Sequence, residues 1–94
     1  MSAKLSTAKF RLGKIVSTPN ALEQLMQDDI LSAIGRHQAG DWGDVSEHDR
    51  AKNELALAQG LRPWSVYHAT NGAKFWLITE GNRFVTTVVM PEDY

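Results

Sequence analysis

The spacing of hydrophobic residues changes period twice along this chain. From Phe10 to Ser17, Phe10 and Leu12 alternate with Arg11 and Gly13, the period of a strand, until Ile15 and Val16 break it. Gly13 marks a candidate bulge there. From Thr18 the spacing becomes helical. Thr18 and Pro19 form a start signal: a hydroxyl that can accept a free N–H, then a proline that loses no bond in the first turn. Leu22, Leu25 and Met26 share one face of this short helix. A second helix is expected over Ile30 to Ala39, capped by Asp28 or Asp29, with Ile30, Leu31 and Ile34 inward and Gly40 as its left-handed stop. Ser46 with Asp49 opens a third helix, on which Ala51, Leu55 and Ala58 recur at helical spacing before Gly60.

Beyond Gly60 the chain reads as strand. Trp64–Thr70, Ala73–Glu80 and Arg83–Met90 are rich in aromatic and β-branched residues, and Pro91 should end the last run. Asn71-Gly72 and Gly81-Asn82 read as two-residue hairpin turns. Such turns set His68 opposite Phe75, Tyr67 opposite Trp76, and Ile78 opposite Val85. One face would then carry Trp64, Val66, His68, Phe75, Leu77, Phe84, Val88 and Met90 toward the helices. The other would carry Tyr67, Lys74, Trp76, Ile78, Glu80, Arg83, Val85, Thr87 and Val89.

The expected fold is therefore α+β: three short helices packed on a C-terminal antiparallel sheet of three strands, with the N-terminal strand at an edge. Residues 1–9 are expected to be a flexible N-terminus and residues 10–94 a single domain, which fits a length of 94 residues. Cysteine is absent, which excludes disulfides and thiolate chemistry and fits a reducing, cytoplasmic setting. The first ten residues lack the apolar run of a signal peptide, and no stretch approaches the ~18 apolar residues of a membrane span. Ten basic residues against eleven acidic ones leave a net charge of −1, so a nucleic-acid partner has no electrostatic support beyond a local patch.

Three groups of residues carry candidate chemistry. His37, Asp41, Asp44, His48 and Asp49 lie close together, but their spacing matches no metal motif, and no metal or cofactor is expected. Trp42 lies in the glycine-flanked loop Asp41-Trp42-Gly43-Asp44 and is expected to turn inward onto the second and third helices. Glu80, Arg83 and Tyr67 could serve as base, phosphate ligand and proton donor in RNA cleavage. A helix-then-sheet order with charged residues on the sheet is loosely similar to RelE-like and barnase-like ribonucleases, in topology and residue type only.

Two longer stretches carry a resemblance. His37-Gln-Ala-Gly-Asp-Trp-Gly-Asp44, running on to Asp49 and Asn53, is one. The other is Phe75-Trp-Leu-Ile-Thr-Glu80, through Thr86-Thr87-Val88, to Met90-Pro-Glu-Asp-Tyr94. Together they resemble a group of short uncharacterised bacterial proteins of plasmids, prophages and integrative elements, of the "plasmid-related protein" type. The likeness covers about residues 10–94. It implies a mobile-element setting, with counter-defence or regulatory roles among those open to such proteins. The group has no established activity, so no functional residue carries over.

The leading expectation is a non-enzymatic binding or accessory protein that acts through a protein partner or a homodimer. Its contact surface would be the second sheet face, with Tyr67, Trp76, Ile78 and Val85 at the centre and Lys74 and Arg83 at the margin. The alternative is a small ribonuclease using Glu80, Arg83 and Tyr67.

Overall fold

A computed structural model describes residues 8–94. The elements run β1 (Lys14–Ser17), α1 (Pro19–Gln24), α2 (Gln27–Gln38), α3 (Glu47–Gln59), β2 (Trp64–His68), β3 (Lys74–Thr79) and β4 (Val85–Val89), then a 3-10 turn at Pro91–Asp93. The four strands form one mixed sheet in the order β1-β4-β3-β2. β2, β3 and β4 are the expected antiparallel strands, and β1 lies at an edge, parallel to β4. The fold is α+β.

β1 is shorter than the pattern from Phe10 predicts. Gly13 has φ +67, and a Cβ there would lie 2.2 Å from the Phe84 carbonyl carbon. The chain turns at this close approach, so residues before it leave the sheet. Phe10 instead stacks on Trp42 with ring centroids 6.0 Å apart. Lys9, within the stretch expected to be free, is tied by its N–H to the Gln38 carbonyl. Residues 1–7 of that stretch lie outside the described residues.

The helix signals translate into local bonds. Thr18 Oγ1 accepts from the Ala21 N–H at 3.1 Å, and Ser46 Oγ accepts from Asp49 N–H at 3.0 Å. α2 begins earlier than Ile30. Met26 precedes it without a side-chain cap, and Asp28 and Asp29 fall inside the first turn, where their charge complements the helix N-terminus. Gly40, at φ +83, follows the C-cap residue Ala39. α1 and α2 cover one face of the sheet, where Ala21, Leu25, Ile30 and Ala33 meet Tyr67, Phe75, Leu77 and Val88. Leu22, Met26 and Leu31, expected inward, are exposed.

α3 uses a different face from the one its apolar spacing marks. Ala51, Leu55 and Ala58 point outward, while Asn53 and Ala56 are buried. Asn53 bonds the backbone of Trp64 at the outer edge of β2, accepting from its N–H at 3.0 Å and donating to its carbonyl at 2.7 Å. The next outward residue, Val66, gives its N–H to Trp42 O and receives Asp44 N–H. Gly43 makes this approach possible: its φ is +76, and a Cβ would meet Val66 O at 2.0 Å.

Both hairpin turns differ from the two-residue reading. In the first, Ala69 N–H bonds Ala73 O, leaving Thr70, Asn71 and Gly72 as a three-residue loop with Gly72 at φ +90. Tyr67 therefore pairs with Phe75, and His68 with Lys74. This one-residue slip turns β2 over. Tyr67 joins the helix-covered core, and His68 is exposed. In the second, Glu80 N–H bonds Val85 O, so Gly81–Phe84 form a four-residue loop. A shift of two keeps each side chain of β4 on its expected face, although Phe84 in the loop is 71% exposed rather than core.

Candidate functional site

The sheet face turned away from α1 and α2 holds the residues best placed to meet another molecule. β2 contributes Trp64 and Val66; β3 contributes Trp76 and Ile78 opposite them; β4 contributes Val85, Thr87 and Val89. Lys14 and Val16 of β1 extend this face through their pairing with Val85 and Thr87. Val66, Ile78 and Val89 are buried, while Trp64, Trp76, Val85 and Thr87 are half-buried.

Trp64, Trp76 and Tyr94 set a cleft into this face. The Trp64 and Trp76 rings meet edge to face, centroids 5.5 Å apart at 89°, and Tyr94 meets Trp76 at the same distance and 68°. Edge-to-face contact matches the positive ring edge to the negative ring face, and each pair adds about 0.5–1.5 kcal/mol beyond its burial. Ile78 and Arg62 complete a cleft of about 300 Å³. Arg62 is steered by Glu80, 3.5 Å from its Nε, and donates to Tyr94 Oη at 3.3 Å. The C-terminal turn that delivers Tyr94 is pinned to the start of α1. Thr18 Oγ1 donates to Asp93 at 2.8 Å, and Asn20 Nδ2 donates to both Glu92 and Asp93 at 3.1 Å.

The structure brings some predicted site residues together and separates others. Trp76, Ile78 and Val85 share the face, with Lys74 and Glu80 at its margin. Tyr67 lies on the opposite face. Its hydroxyl donates to Asp41 O at 2.6 Å, and burial pushes its pKa up to about 12. Arg83 sits in the Gly81–Phe84 loop with φ 65, over the Phe10 ring. Its guanidinium donates to the carbonyls of Ala56, Leu61, Glu80 and Gly81. Glu80, Arg83 and Tyr67 thus do not converge on one site. Trp64, Arg62 and Tyr94 are the cleft residues that sequence reasoning missed. The signal for Tyr94 was Pro91, which stops the strand and starts the turn that folds the end of the chain back.

The histidines and aspartates of residues 37–49 disperse in the same way. Asp41 pairs with Arg36 at 2.8 Å, a hydrogen-bonded contact that holds its carboxyl below the usual range. Asp44 pairs with His68 at 3.0 Å and is likewise lowered by that bond. Among the described residues no three such side chains form a metal-sized group.

His37 is fully buried in a chain of hydroxyls. Thr86 Oγ1 donates to Leu12 O at 2.7 Å, which commits its one proton. Thr79 must then donate to Thr86, also at 2.7 Å, so His37 Nε2 carries a hydrogen and donates to Thr79 at 2.9 Å. Nδ1 is left to accept from the Ser65 hydroxyl. Burial, with Arg83 nearby, lowers the His37 pKa to about 4, which agrees with this neutral form. Ser65 and His37 are both wholly inaccessible, so the pair crosslinks the sheet and α2 rather than meeting a substrate. Trp42 is buried as expected, and its Nε1 donates to Glu54 at 3.0 Å.

No family model, curated protein or solved structure matches the chain. Among the described residues no helix is long and apolar enough to cross a membrane.

Proposed function

We propose that this chain is a non-enzymatic binding module whose open sheet face receives a protein partner. The observation that carries the reading is the cleft of Trp64, Trp76 and Tyr94 with Arg62 held at its rim. Tryptophan, tyrosine and arginine dominate the energetic centres of protein interfaces, and a cleft of this size takes one large apolar or aromatic side chain. Its walls are set by strand pairing and by the pinned C-terminal turn, so little ordering cost remains at binding. Ile78, Val85 and Thr87 continue the contact zone, and Lys74 and Glu80 supply a polar rim. The resemblance to proteins of plasmids and prophages makes a cytoplasmic host protein the first class of partner to test. The ribonuclease alternative draws less support, because Tyr67 lies on the opposite sheet face with its hydroxyl spent on Asp41 O, Arg83 spends its guanidinium on backbone carbonyls, and the Glu80 carboxylate faces Arg62.

Site-specific photo-crosslinking tests this reading. A photoreactive residue at Thr87, on the open face, should yield a discrete adduct in host cells. One at Ser32, exposed on α2, should not. Trp76→Ala should abolish the Thr87 adduct. An adduct that survives Trp76→Ala, or equal adducts from both positions, would place recognition elsewhere.

A further inference from the structure

The two edges of the sheet are treated differently. Asn53, Trp42 and Asp44 occupy the outward backbone groups of Trp64 and Val66 on β2. At the other edge, Lys14 N–H bonds Phe84 O and Thr18 N–H bonds Val88 O, so the even-numbered residues of β1 face β4. Ile15 and Ser17 therefore turn their N–H and carbonyl groups away from the sheet, and no described strand lies beyond them. An open edge of this kind is a template for pairing with another strand. Beside it runs an apolar groove of about 610 Å³, lined by Ile15, Leu22, Leu25, Ile30, Leu31 and Ile34. Leu22 is 63% exposed, Leu31 56% and Ile15 38%.

Charge along this edge selects the occupant. Exposed Lys14 stands at the start of β1, three residues after exposed Arg11 in the chain. At its end, Thr18 and Asn20 hold the carboxylates of Glu92 and Asp93. The edge is thus basic at one end and acidic at the other. A strand running antiparallel with the same charges meets it with opposite signs at both ends, whereas a parallel copy meets like with like.

We propose that β1 of a second copy of this chain pairs antiparallel with β1 about a two-fold axis at Val16, joining two four-stranded sheets into one. In this register Ile15 of each copy exchanges backbone bonds with Ser17 of the other, the pattern that the outward groups require. Lys14 then stands opposite Thr18 of the second copy, whose hydroxyl holds Asp93 on the same side of the sheet. The two apolar grooves meet across the axis and cover Leu22 and Leu31. The contact is self-complementary, as a two-fold interface must be. Both aromatic clefts stay open at the far strands, so this pairing stands independently of what the clefts bind.

Light scattering on the full chain across a concentration series tests the pairing. Wild type should give twice the chain mass, and the dimer should weaken as salt is raised. Lys14→Glu and Glu92→Lys, each confirmed folded by circular dichroism, should each weaken the dimer by about tenfold or more, because the first sets a carboxylate against Glu92 and Asp93 at both ends and the second cancels the net negative charge that Lys14 meets. Mixing the two variants should restore a heterodimer, because each meets opposite charge in the other. Leu31→Glu, at an exposed groove position, should dissociate the dimer without use of the charge pairs. A wild type that stays monomeric throughout would overturn the proposal. So would folded Lys14→Glu, Glu92→Lys and Leu31→Glu variants that dimerise like wild type, or charge variants that gain nothing on mixing.

Discussion

Asn53 gives Trp64 both hydrogen bonds that a further strand would have supplied. Its Nδ2 donates to the Trp64 carbonyl at 2.7 Å and its Oδ1 accepts from the Trp64 N–H at 3.0 Å. One buried amide thereby closes the edge of β2 and fixes α3 beside it. It also anchors the backbone from which Trp64 enters the cleft.

Asn53→Ala should therefore leave two backbone groups of Trp64 without partners. Each such group costs about 1–3 kcal/mol when buried. Thermal unfolding should fall by roughly 10 °C or more, since 1 kcal/mol shifts a domain of this size by about 4–8 °C. Asn53→Asp should lower it as well, because the carboxylate keeps the acceptor for Trp64 N–H but loses the donor to Trp64 O. A melting temperature within a degree or two of wild type for Asn53→Ala would remove Asn53 from this role.

His37 sets a pH dependence of definite sign. Its folded pKa is about 4, below the ordinary 6.5. As pH falls through 6.5 the unfolded chain binds a proton that the folded chain refuses until about pH 4. The stabilisation is complete above 6.5 and is lost progressively between these values, by roughly 3 kcal/mol in all. The lowered carboxyls of Asp41, Asp44, Glu92 and Asp93 lose their contributions at more acid pH, as it falls from the ordinary carboxylate values to their own lower folded values. His37→Gln should flatten the denaturation midpoint between pH 6.5 and 4. Nitrogen chemical shifts in the wild type should show a neutral ring with the hydrogen on Nε2 down to about pH 4. A ring that titrates near 6.5 would contradict the buried chain.

Arg83 is expected to matter for stability. Its guanidinium reaches Leu61 O at 2.6 Å and Ala56 O at 3.0 Å, tying the end of α3 and the segment after it to the β3–β4 loop. Arg83→Ala should cost about 2–4 kcal/mol in chemical denaturation, given ~1.5–3 kcal/mol for a bond to a charged group and partial exposure of the site. Arg83→Lys should recover little of it, because an ammonium lacks the fork that spans two carbonyls. Full stability in Arg83→Ala would free this residue for another role.

Much of the fold was legible in the chain: Thr18 and Ser46 start their helices, Gly60 ends α3, and three C-terminal strands form the antiparallel part of the sheet. The misread turn shows where local pattern stops. Asn71-Gly72 suits both a two-residue turn and a three-residue loop with glycine at positive φ. The choice is made at long range, by Asp29 binding Thr70 N–H and Oγ1 and by Asn71 Nδ2 reaching Gln24 O. That one residue decides whether Tyr67 or Trp64 belongs to the open face. On α3, hydrophobic spacing favours Leu55 and cannot register that a polar Asn53 is needed inward to satisfy a sheet edge. Trp76, Ile78 and Val85 were readable as sharing one sheet face because the second turn shifted by two residues and left that face unchanged.

Trp42 and Trp76 give the sharpest contrast between core and contact surface. Trp42 is wholly buried against Phe10 and His37, so Trp42→Ala should cost about 3–5 kcal/mol. Trp76 is half-buried on the open face, between Trp64 and Tyr94. The decisive measurement sets the denaturation curve of Trp76→Ala beside its photo-crosslinking from Thr87. The account predicts a variant that unfolds cooperatively, loses well under half of what Trp42→Ala loses, and forms no adduct. A Trp76→Ala variant as unstable as Trp42→Ala, or one that keeps both stability and adduct, would contradict it.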